Sequence, residues 1–428
     1  MDVLIGHTCI MSTPPPPIDT NLEDGASPPS LWLSLNFVKF MCGRMFNSLA
    51  IQFVTVTVGW QIYEMTSNPL DLGLVGLFQI APIFCLFMAA GLAADRMNRR
   101  LIIASCNFVH GLVAAFLLYY ALSGGTDPWP IFLVLLLHGT GRAFYHPSLV
   151  SILPNLVEKS QFPSAIAYTT SVGKFSQLAG PALAGLLIAT IGYWVYFLAL
   201  VSFAISLVCA ALLVSPRRDR PKKAVSLDEL ISGFSYVWTN KLVLAIMSMD
   251  LVAILFSGIL GMLPVFARDV LMVGPEGLGL LRAMPAFGAV VVGLFLAQLP
   301  LRANVGVKLV LSVAVIGATS SMFALSENFW LSLFFLGLFG MADMISTNIR
   351  QTVVQLITPD HMRGRVSSVH SLTTNSSNEI GDFRAGTSAA LIGVIPAVAV
   401  GGLLTVSLSL LWWRIFPQLR NVDMEGRS

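Results

Sequence analysis

Apolar stretches long enough to cross a lipid bilayer recur along almost the whole chain. A spanning helix needs about 20 mostly apolar residues. Only 11% of the 428 residues are charged and 55% are hydrophobic, whereas soluble domains carry about 25% charged residues. The sequence therefore predicts an all-α integral membrane protein. Twelve stretches are predicted to form its transmembrane helices, at roughly 36–62, 70–94, 99–122, 129–155, 162–190, 194–214, 242–265, 277–299, 305–325, 329–356, 366–391 and 394–415.

The charges of the connecting loops predict the orientation of the chain in the membrane. If the N-terminus is cytoplasmic, fourteen lysines and arginines lie at the cytoplasmic loops and three more in the C-terminal tail, against Arg268 alone on the other side. Positively charged loops remain on the cytoplasmic side. We therefore expect a multi-pass protein of the cell membrane with both termini in the cytoplasm.

A weak internal repeat predicts two halves. Leu156 and Val157 match Leu356 and Ile357, so helices four and five recur as ten and eleven. Two repeated halves with a site between them are a known plan of membrane transporters. We predict two pseudo-symmetric six-helix bundles. The predicted boundaries are a disordered tail at 1–31, bundles at 32–215 and 242–416, a cytoplasmic linker at 216–241 and a tail at 417–428.

The loop between helices two and three carries the strongest local motif. The residues that define it are Gly91, Asp95, Arg96, Arg99 and Arg100. This pattern resembles the signature loop of the major facilitator superfamily, although Asn98 stands where glycine is usual. The resemblance implies the major facilitator fold and a cytoplasmic gating loop that latches one access state. The alternative interpretation is that these arginines only set the topology.

A second motif, in helix five, contains Gly180, Pro181 and Gly185. It resembles a helix-five motif found mainly in exporters of the superfamily, although Ala184 stands where a second glycine is usual. Proline bends a helix and small residues allow close packing, so the motif predicts contact with the other half. Ordinary small-residue packing is the alternative. With Asn378, Glu379 and other segments, the chain resembles the enterobactin-exporter-like branch of the superfamily.

Ionisable residues deep in the predicted helices are candidates for a proton and substrate pathway, because a charge at the bilayer centre costs roughly 2.5–3.5 kcal/mol on insertion scales. The alternative for each is a structural interhelical pair. Arg142 and Asp343 align within one residue across the repeat, at matching depths. We predict that the pathway contains Arg142, Lys174, Asp250, Asp343, Glu379 and Asp382.

Five further cationic residues are expected nearer the helix ends, where their side chains can reach the membrane surface. We expect no substrate role for most of them. Arg350 is the exception, because it shares a helix face with Asp343. The five residues are Lys39, Arg44, Arg282, Arg350 and Arg384.

These observations favour secondary active transport over catalysis. The chain has no phosphate-binding loop, no cysteine or histidine cluster for a metal, and no basic domain for nucleic acid. We therefore expect no cofactor, no metal and no enzymatic activity. The resemblance implies a monomeric exporter of a small organic molecule, such as a siderophore or drug, that works by alternating access in the bacterial inner membrane with protons as coupling ions.

Two other functions remain open at this point. An integral membrane enzyme acting on lipid would use His138, His146 and Asp343. A sensor or scaffold with a transporter fold would not move a substrate at all, and loss of buried charges would favour it. The chain keeps many buried charges, and the displaced repeat and signature loop favour a transporter over an enzyme.

Overall fold

Helices make up all the regular structure in the described part of the chain. The computed structural model describes residues 31, 34–214, 227–298 and 304–421. Most of both predicted tails, residue 215 and residues 216–226 of the predicted linker lie outside these ranges. The fourteen α-helices are α1 Leu35–Thr66, α2 Pro69–Arg96, α3 Arg99–Leu122, α4 Trp129–Ile152, α5 Phe162–Ile191, α6 Val195–Ala211, α7 Leu227–Thr239, α8 Lys241–Ser257, α9 Ile259–Val265, α10 Gly274–Gln298, α11 Val305–Ala324, α12 Phe329–Ile357, α13 Asp360–Ile392 and α14 Val394–Ile415.

Polar residues in the loops begin several of these helices. A side-chain oxygen just before the helix can accept a hydrogen bond from a first-turn N–H that has no partner within the helix. Such caps precede α1, α2, α3, α8 and α12, formed by Ser34, Asn68, Asn98, Asn240 and Asn328. Short polar loops therefore suffice to end one apolar helix and begin the next.

Eight segments of the described residues are long and apolar enough to cross a membrane, and one of them, Phe162–Ala211, contains both α5 and α6. The all-α membrane fold is therefore confirmed, while the count of twelve spanning helices stays a prediction. The long helices outside these segments are α1, α4 and α13. Each carries charged or histidine side chains, and these helices line the centre of the molecule.

The helices pack in two groups. In the first, α1 contacts α5 and α6, and α4 contacts α2 and α3; in the second, α11 contacts α12 and α14, and α8 contacts α13 and α14. The two groups, called here the first and second halves, meet chiefly where α2 contacts α13 and α5 contacts α10. The face where α1 begins and α14 ends is called the terminal face, and the other the opposite face.

Glycines bring the two halves together near the opposite face. A Cβ atom on Gly386 of α13 would lie 2.9 Å from the Cα atom of Gly73 of α2. A Cβ atom on Gly185 of α5 would collide with the backbone of Gly279 of α10. Only glycine permits such close approach of two backbones, so these two crossings hold the opposite face closed.

The predicted seventh helix, 242–265, is broken in the structure. It consists of α8 and α9, separated by Gly258 with a φ of +46°, followed by a π-helical turn at Phe266–Val270. A Cβ atom at position 258 would lie 2.6 Å from the Ala385 Cβ atom. The left-handed backbone and the close contact both require glycine there. Periodicity alone could not reveal this break, because both pieces are apolar.

Candidate functional site

A polar cavity lies between the two halves. It has a volume of about 470 Å³ and is lined by α1, α2, α4 and α5 of the first half and by α9, α10 and α13 of the second. Three glutamines, Gln52, Gln79 and Gln177, line it as well. Its charged lining residues are Arg44, Arg142, Arg282, Glu379 and Asp382.

One ion pair crosses this cavity from one half to the other. The Nη1 atom of Arg142 in α4 lies 3.5 Å from the Oε1 atom of Glu379 in α13. The same nitrogen donates a hydrogen bond of 2.9 Å to the side-chain oxygen of Gln79 in α2. The side chains of Arg142 and Glu379 are 31% and 20% exposed, so the pair faces the cavity and is accessible to water or a ligand.

Asp382 lies one turn beyond Glu379 and contacts the break between α8 and α9. Its Oδ1 atom accepts a hydrogen bond of 3.1 Å from the backbone N–H of Gly261. On the other side of the break, Arg384 donates to the carbonyl of Phe256 at 2.8 Å and lies over its ring. Two side chains of α13 thus satisfy backbone groups that the break leaves without helical partners.

A second, more apolar cavity of about 920 Å³ adjoins the first. Gln52, Gln177, Leu260 and Arg282 line both cavities, which we call the polar lobe and the apolar lobe of one central cavity. Lys174 of α5 and Asp343 of α12 line the apolar lobe. Asp343 therefore lies in a different lobe from Arg142, although the two residues match across the repeat.

The remaining candidate of the predicted pathway, Asp250, lines neither lobe. It forms an ion pair with Arg350, and each side chain is only 4% exposed. The other carboxylate oxygen of Asp250 accepts a hydrogen bond of 3.0 Å from Thr374. Arg350, which was singled out because it shares a helix face with Asp343, forms its ion pair with Asp250 and so joins α12 to α8 inside the second half.

Among the described residues, the arginines of the predicted gating loop form hydrogen bonds only within the first half. Arg99 donates to the carbonyls of Ala94 and Ser151, each at 2.9 Å. Arg100 donates to the carbonyl of Ala211. Arg96 is exposed and Gly91 has open space beside it. The Asp95 side chain lies outside the described residues.

The helix-five motif lies partly within its own half and partly between the halves. A Cβ atom on Gly180 would lie 2.7 Å from the Cβ atom of Gln52 in α1, whereas Gly185 packs on Gly279 of α10. Pro181 lines the apolar lobe. The motif thus lets α5 pass closely between α1 and α10.

A polar cluster at the opposite face also joins the halves. Tyr63, near the end of α1, donates its hydroxyl hydrogen to Asp269 in the π-helical turn. Arg268 donates to the carbonyl of Tyr63 at 2.7 Å and to the hydroxyl of Ser67 at 3.3 Å. We call these four residues the opposite-face cluster. The only sequence signal for it was that Arg268 stands alone as a cation on that side.

Arg44 and Arg282, expected at the membrane surface, line the polar lobe instead. The depth count from helix ends missed them because it ignores which face of a helix meets the other half.

The histidines of the enzyme alternative lie apart. His138 is fully buried with its ring 4.6 Å from that of His110, whereas His146 lines the polar lobe. The three residues of the enzyme alternative are therefore not assembled around one cavity. No group of three or more metal-binding side chains occurs among the described residues.

Comparison with known proteins identifies the family. Residues 36–428 match the family described as transmembrane secretion effector. The chain belongs to this family of major facilitator transporters. Over 379 residues it is 26% identical to the enterobactin exporter EntS of Citrobacter koseri and 25% identical to that of Shigella boydii, covering 88% of this chain and 91% of each relative. The predicted resemblance is confirmed, and the protein is a membrane transporter.

Solved structures support the fold alone. A bacterial homologue of the human lysosomal transporter Spinster, inward-facing and unoccupied, superposes with a TM-score of 0.70 at 16% identity, covering 93% of this chain and 100% of that one. A bacterial homologue of the iron transporter ferroportin, also inward-facing, gives 0.66 at 16% identity, covering 90% and 98%. Both superpositions agree with the predicted major facilitator fold. The family match and the exporter relatives agree with the prediction that the protein is not an enzyme.

Proposed function

We propose that the protein is a proton-coupled exporter of a small organic molecule and works by alternating access. The observation that carries this proposal is the ion pair between Arg142 and Glu379, which crosses from one half to the other inside the central cavity. The homology to exporters of enterobactin supports export and makes a siderophore the first substrate to test.

The location of this pair suggests how a proton could be coupled to transport. Movement of the halves away from one another would separate Glu379 from Arg142. A carboxylate that loses its counter-charge at a site of low dielectric constant binds a proton more readily. Substrate binding, proton binding and the movement of the halves would then share one pair of residues. Asp343 and Lys174 in the apolar lobe are a second candidate pair of the pathway.

The contacts between the halves support an inward-open state. The two glycine crossings and the opposite-face cluster all lie near the opposite face. If both termini are cytoplasmic in the bacterial inner membrane, as the loop charges predict, the cavity opens toward the cytoplasm. An exporter in this state would be ready to take up its substrate, and a monomer suffices because both halves are in one chain.

Transport by inverted membrane vesicles tests this function. Vesicles that contain the protein should accumulate enterobactin, or another substrate found by screening a deletion strain, when a proton gradient is present. Accumulation should cease when an uncoupler removes the gradient, and vesicles without the protein provide the control. If no screened compound is transported, or if accumulation persists at full rate without the gradient, the proposal of proton-coupled export is wrong.

A further inference from the structure

The charged groups of the polar lobe are unequally satisfied. Glu379 forms an ion pair with Arg142, and Asp382 accepts a hydrogen bond from the backbone N–H of Gly261. Arg44 donates its Nε hydrogen to the carbonyl of Thr169 at 3.0 Å. Four of the five charged side chains that line this lobe therefore have a partner within the protein. The lobe also contains three cations against two carboxylates, so its charge is not balanced internally.

Arg282 is the exception. It has no hydrogen-bond or ion-pair partner among the described residues, and its Nε atom is buried without an acceptor. The carboxylates of Asp382 and Glu379 line the same lobe and attract Arg282 electrostatically, but among the described residues neither lies within ion-pair distance of it. A buried donor without an acceptor destabilises a protein, more so when the donor is charged. A group that binds in the cavity and carries negative charge would remove this penalty.

The position of Arg282 indicates what is attached to such a group. Arg282 lines the apolar lobe as well as the polar lobe. The apolar lobe has the larger volume, about 920 Å³, and its walls include Phe175, Leu178, Val290 and Leu294. A ligand whose charged end contacts Arg282 can therefore extend directly into apolar surroundings. Burial of apolar ligand surface against these side chains supplies binding energy.

We propose, on the basis of the transport function above, that the substrate is an amphipathic organic anion. Its anionic group binds the Arg282 guanidinium and its apolar body occupies the apolar lobe. A guanidinium forms two parallel hydrogen bonds with a carboxylate or phosphate, so Arg282 would determine specificity for the charge of the substrate. Asp343 in the apolar lobe is the residue that would instead favour an amine, and the test must distinguish these two charges.

Three probes with the same apolar body measure the charge preference. They are naphthalene-2-carboxylate, 2-naphthalenemethanol and 2-naphthylmethylammonium, titrated into the full-length protein in nanodiscs of phosphatidylcholine. We expect the carboxylate to bind roughly tenfold more tightly than the alcohol, as one charge-assisted hydrogen-bonded contact allows. Equal affinities, or tighter binding of the ammonium probe, would overturn the proposal.

Variants assign the preference to Arg282. Arg282→Gln should abolish the advantage of the carboxylate over the alcohol while leaving the affinity for the alcohol unchanged. Arg282→Lys should restore part of it, which a merely structural role would not explain. Lys308→Gln removes a charge from α11 that lines neither lobe and should have no effect. A full carboxylate preference in a folded Arg282→Gln variant would overturn the assignment.

The anion could come from the aqueous phase or from the membrane as a lipid. Repeating the titration in nanodiscs that contain phosphatidylglycerol separates the two sources. If phosphatidylglycerol weakens binding of the carboxylate probe in the wild type but not in Arg282→Gln, an anionic lipid competes for the site. If phosphatidylglycerol leaves the affinity of the wild type unchanged, the site takes a soluble anion. Either result supports an anion site. This titration measures binding without transport, so failure of the vesicle experiment would not change the measured charge preference. Conversely, a preference for the ammonium probe would contradict the anion site but not the proposal of export.

Discussion

Two interhelical ion pairs of the described residues have different surroundings and, we infer, different roles. Asp250 and Arg350 are each 4% exposed and lie within the second half. Arg142 and Glu379 are more exposed, face the cavity and belong to different halves. A pair away from water holds neighbouring helices together, whereas a pair at the cavity can separate when the halves move. Exposure and connectivity thus distinguish structural charges from candidates for coupling.

The Asp250→Ala variant tests the structural role. Removing one partner of a buried pair leaves an uncompensated charge, which costs about 3–5 kcal/mol in soluble proteins. We expect the free energy of unfolding to fall by about this amount, measured by denaturation in mixed micelles. The double variant Asp250→Asn with Arg350→Gln leaves no unpaired charge and should be less destabilised. A loss under about 1 kcal/mol for Asp250→Ala would contradict a structural role.

Sequence reasoning identified buried charged residues but could not assign their partners. It selected Arg142 and Glu379 from their depth, and both line the cavity. It placed Arg142 and Asp343 at matching depths across the repeat, yet the ion-pair partner of Arg142 is Glu379. Depth along a helix follows from residue counting, whereas the direction of a side chain depends on how the helices rotate against each other. Arg282 was missed for the same reason.

At the scale of the helices, the break between α8 and α9 is the least regular feature. Gly258 permits it, and Asp382 and Arg384 of α13 satisfy backbone groups on its two sides. The same helix carries Glu379, so one face of α13 contacts both the broken helix and the ion pair between the halves. Movement of α13 can therefore be transmitted to the break through hydrogen bonds.

Variants of Asp382 separate a capping role from a proton-carrying role. Asp382→Asn keeps an oxygen that can accept from the Gly261 N–H, whereas Asp382→Ala leaves that donor unsatisfied at a cost of about 1–3 kcal/mol. We expect the alanine variant to unfold at a lower temperature and the asparagine variant to match the wild type in stability and in transport. Normal stability with lost proton-driven transport in Asp382→Asn would show that Asp382 carries a proton.

The opposite-face cluster makes a second prediction about elements. Arg268→Ala removes hydrogen bonds from Arg268 in the second half to Tyr63 and Ser67 in the first half, so the opposite face should open more often. The labelling experiment uses a protein without native cysteines and with one cysteine introduced at position 52 in the cavity. If Arg268→Ala lowers the free energy that favours the closed face by about 1.4 kcal/mol, this cysteine should react roughly tenfold faster with an impermeant maleimide added at that face. Arg414→Ala, at the end of α14, provides a control. If the labelling rate of this cysteine is the same with and without Arg268→Ala, the cluster does not hold the opposite face closed.

For the whole molecule, the sequence predicted the architecture better than it predicted the site. Twelve apolar stretches and a displaced repeat were enough to indicate two packed halves, because spacing and hydrophobicity are properties of the chain itself. The first half and the second half meet at glycines such as Gly73 and Gly386, whose partners no periodicity identifies. A cavity between the halves depends on this packing, so its two lobes and their lining could not be predicted.

The orientation of the whole molecule is tested by a reporter fused after Ser428. The bias of lysine and arginine toward one side predicts that this terminus is cytoplasmic. A fusion to green fluorescent protein should therefore fluoresce, and a fusion to alkaline phosphatase should be inactive. The reverse pattern would place the terminal face outside and invert the proposed inward-open state.

The central claim is that the pair between Arg142 and Glu379 couples a proton to movement of the substrate. The most direct test is gradient-driven transport by Glu379→Gln, with Asp343→Asn measured separately, in vesicles with a fixed pH gradient. We predict that Glu379→Gln still binds substrate and exchanges it across the membrane but no longer accumulates it in response to the gradient. If Glu379→Gln accumulates substrate as fully as the wild type, Glu379 does not carry the proton and the claim is contradicted; a loss confined to Asp343→Asn would assign the proton to Asp343 instead.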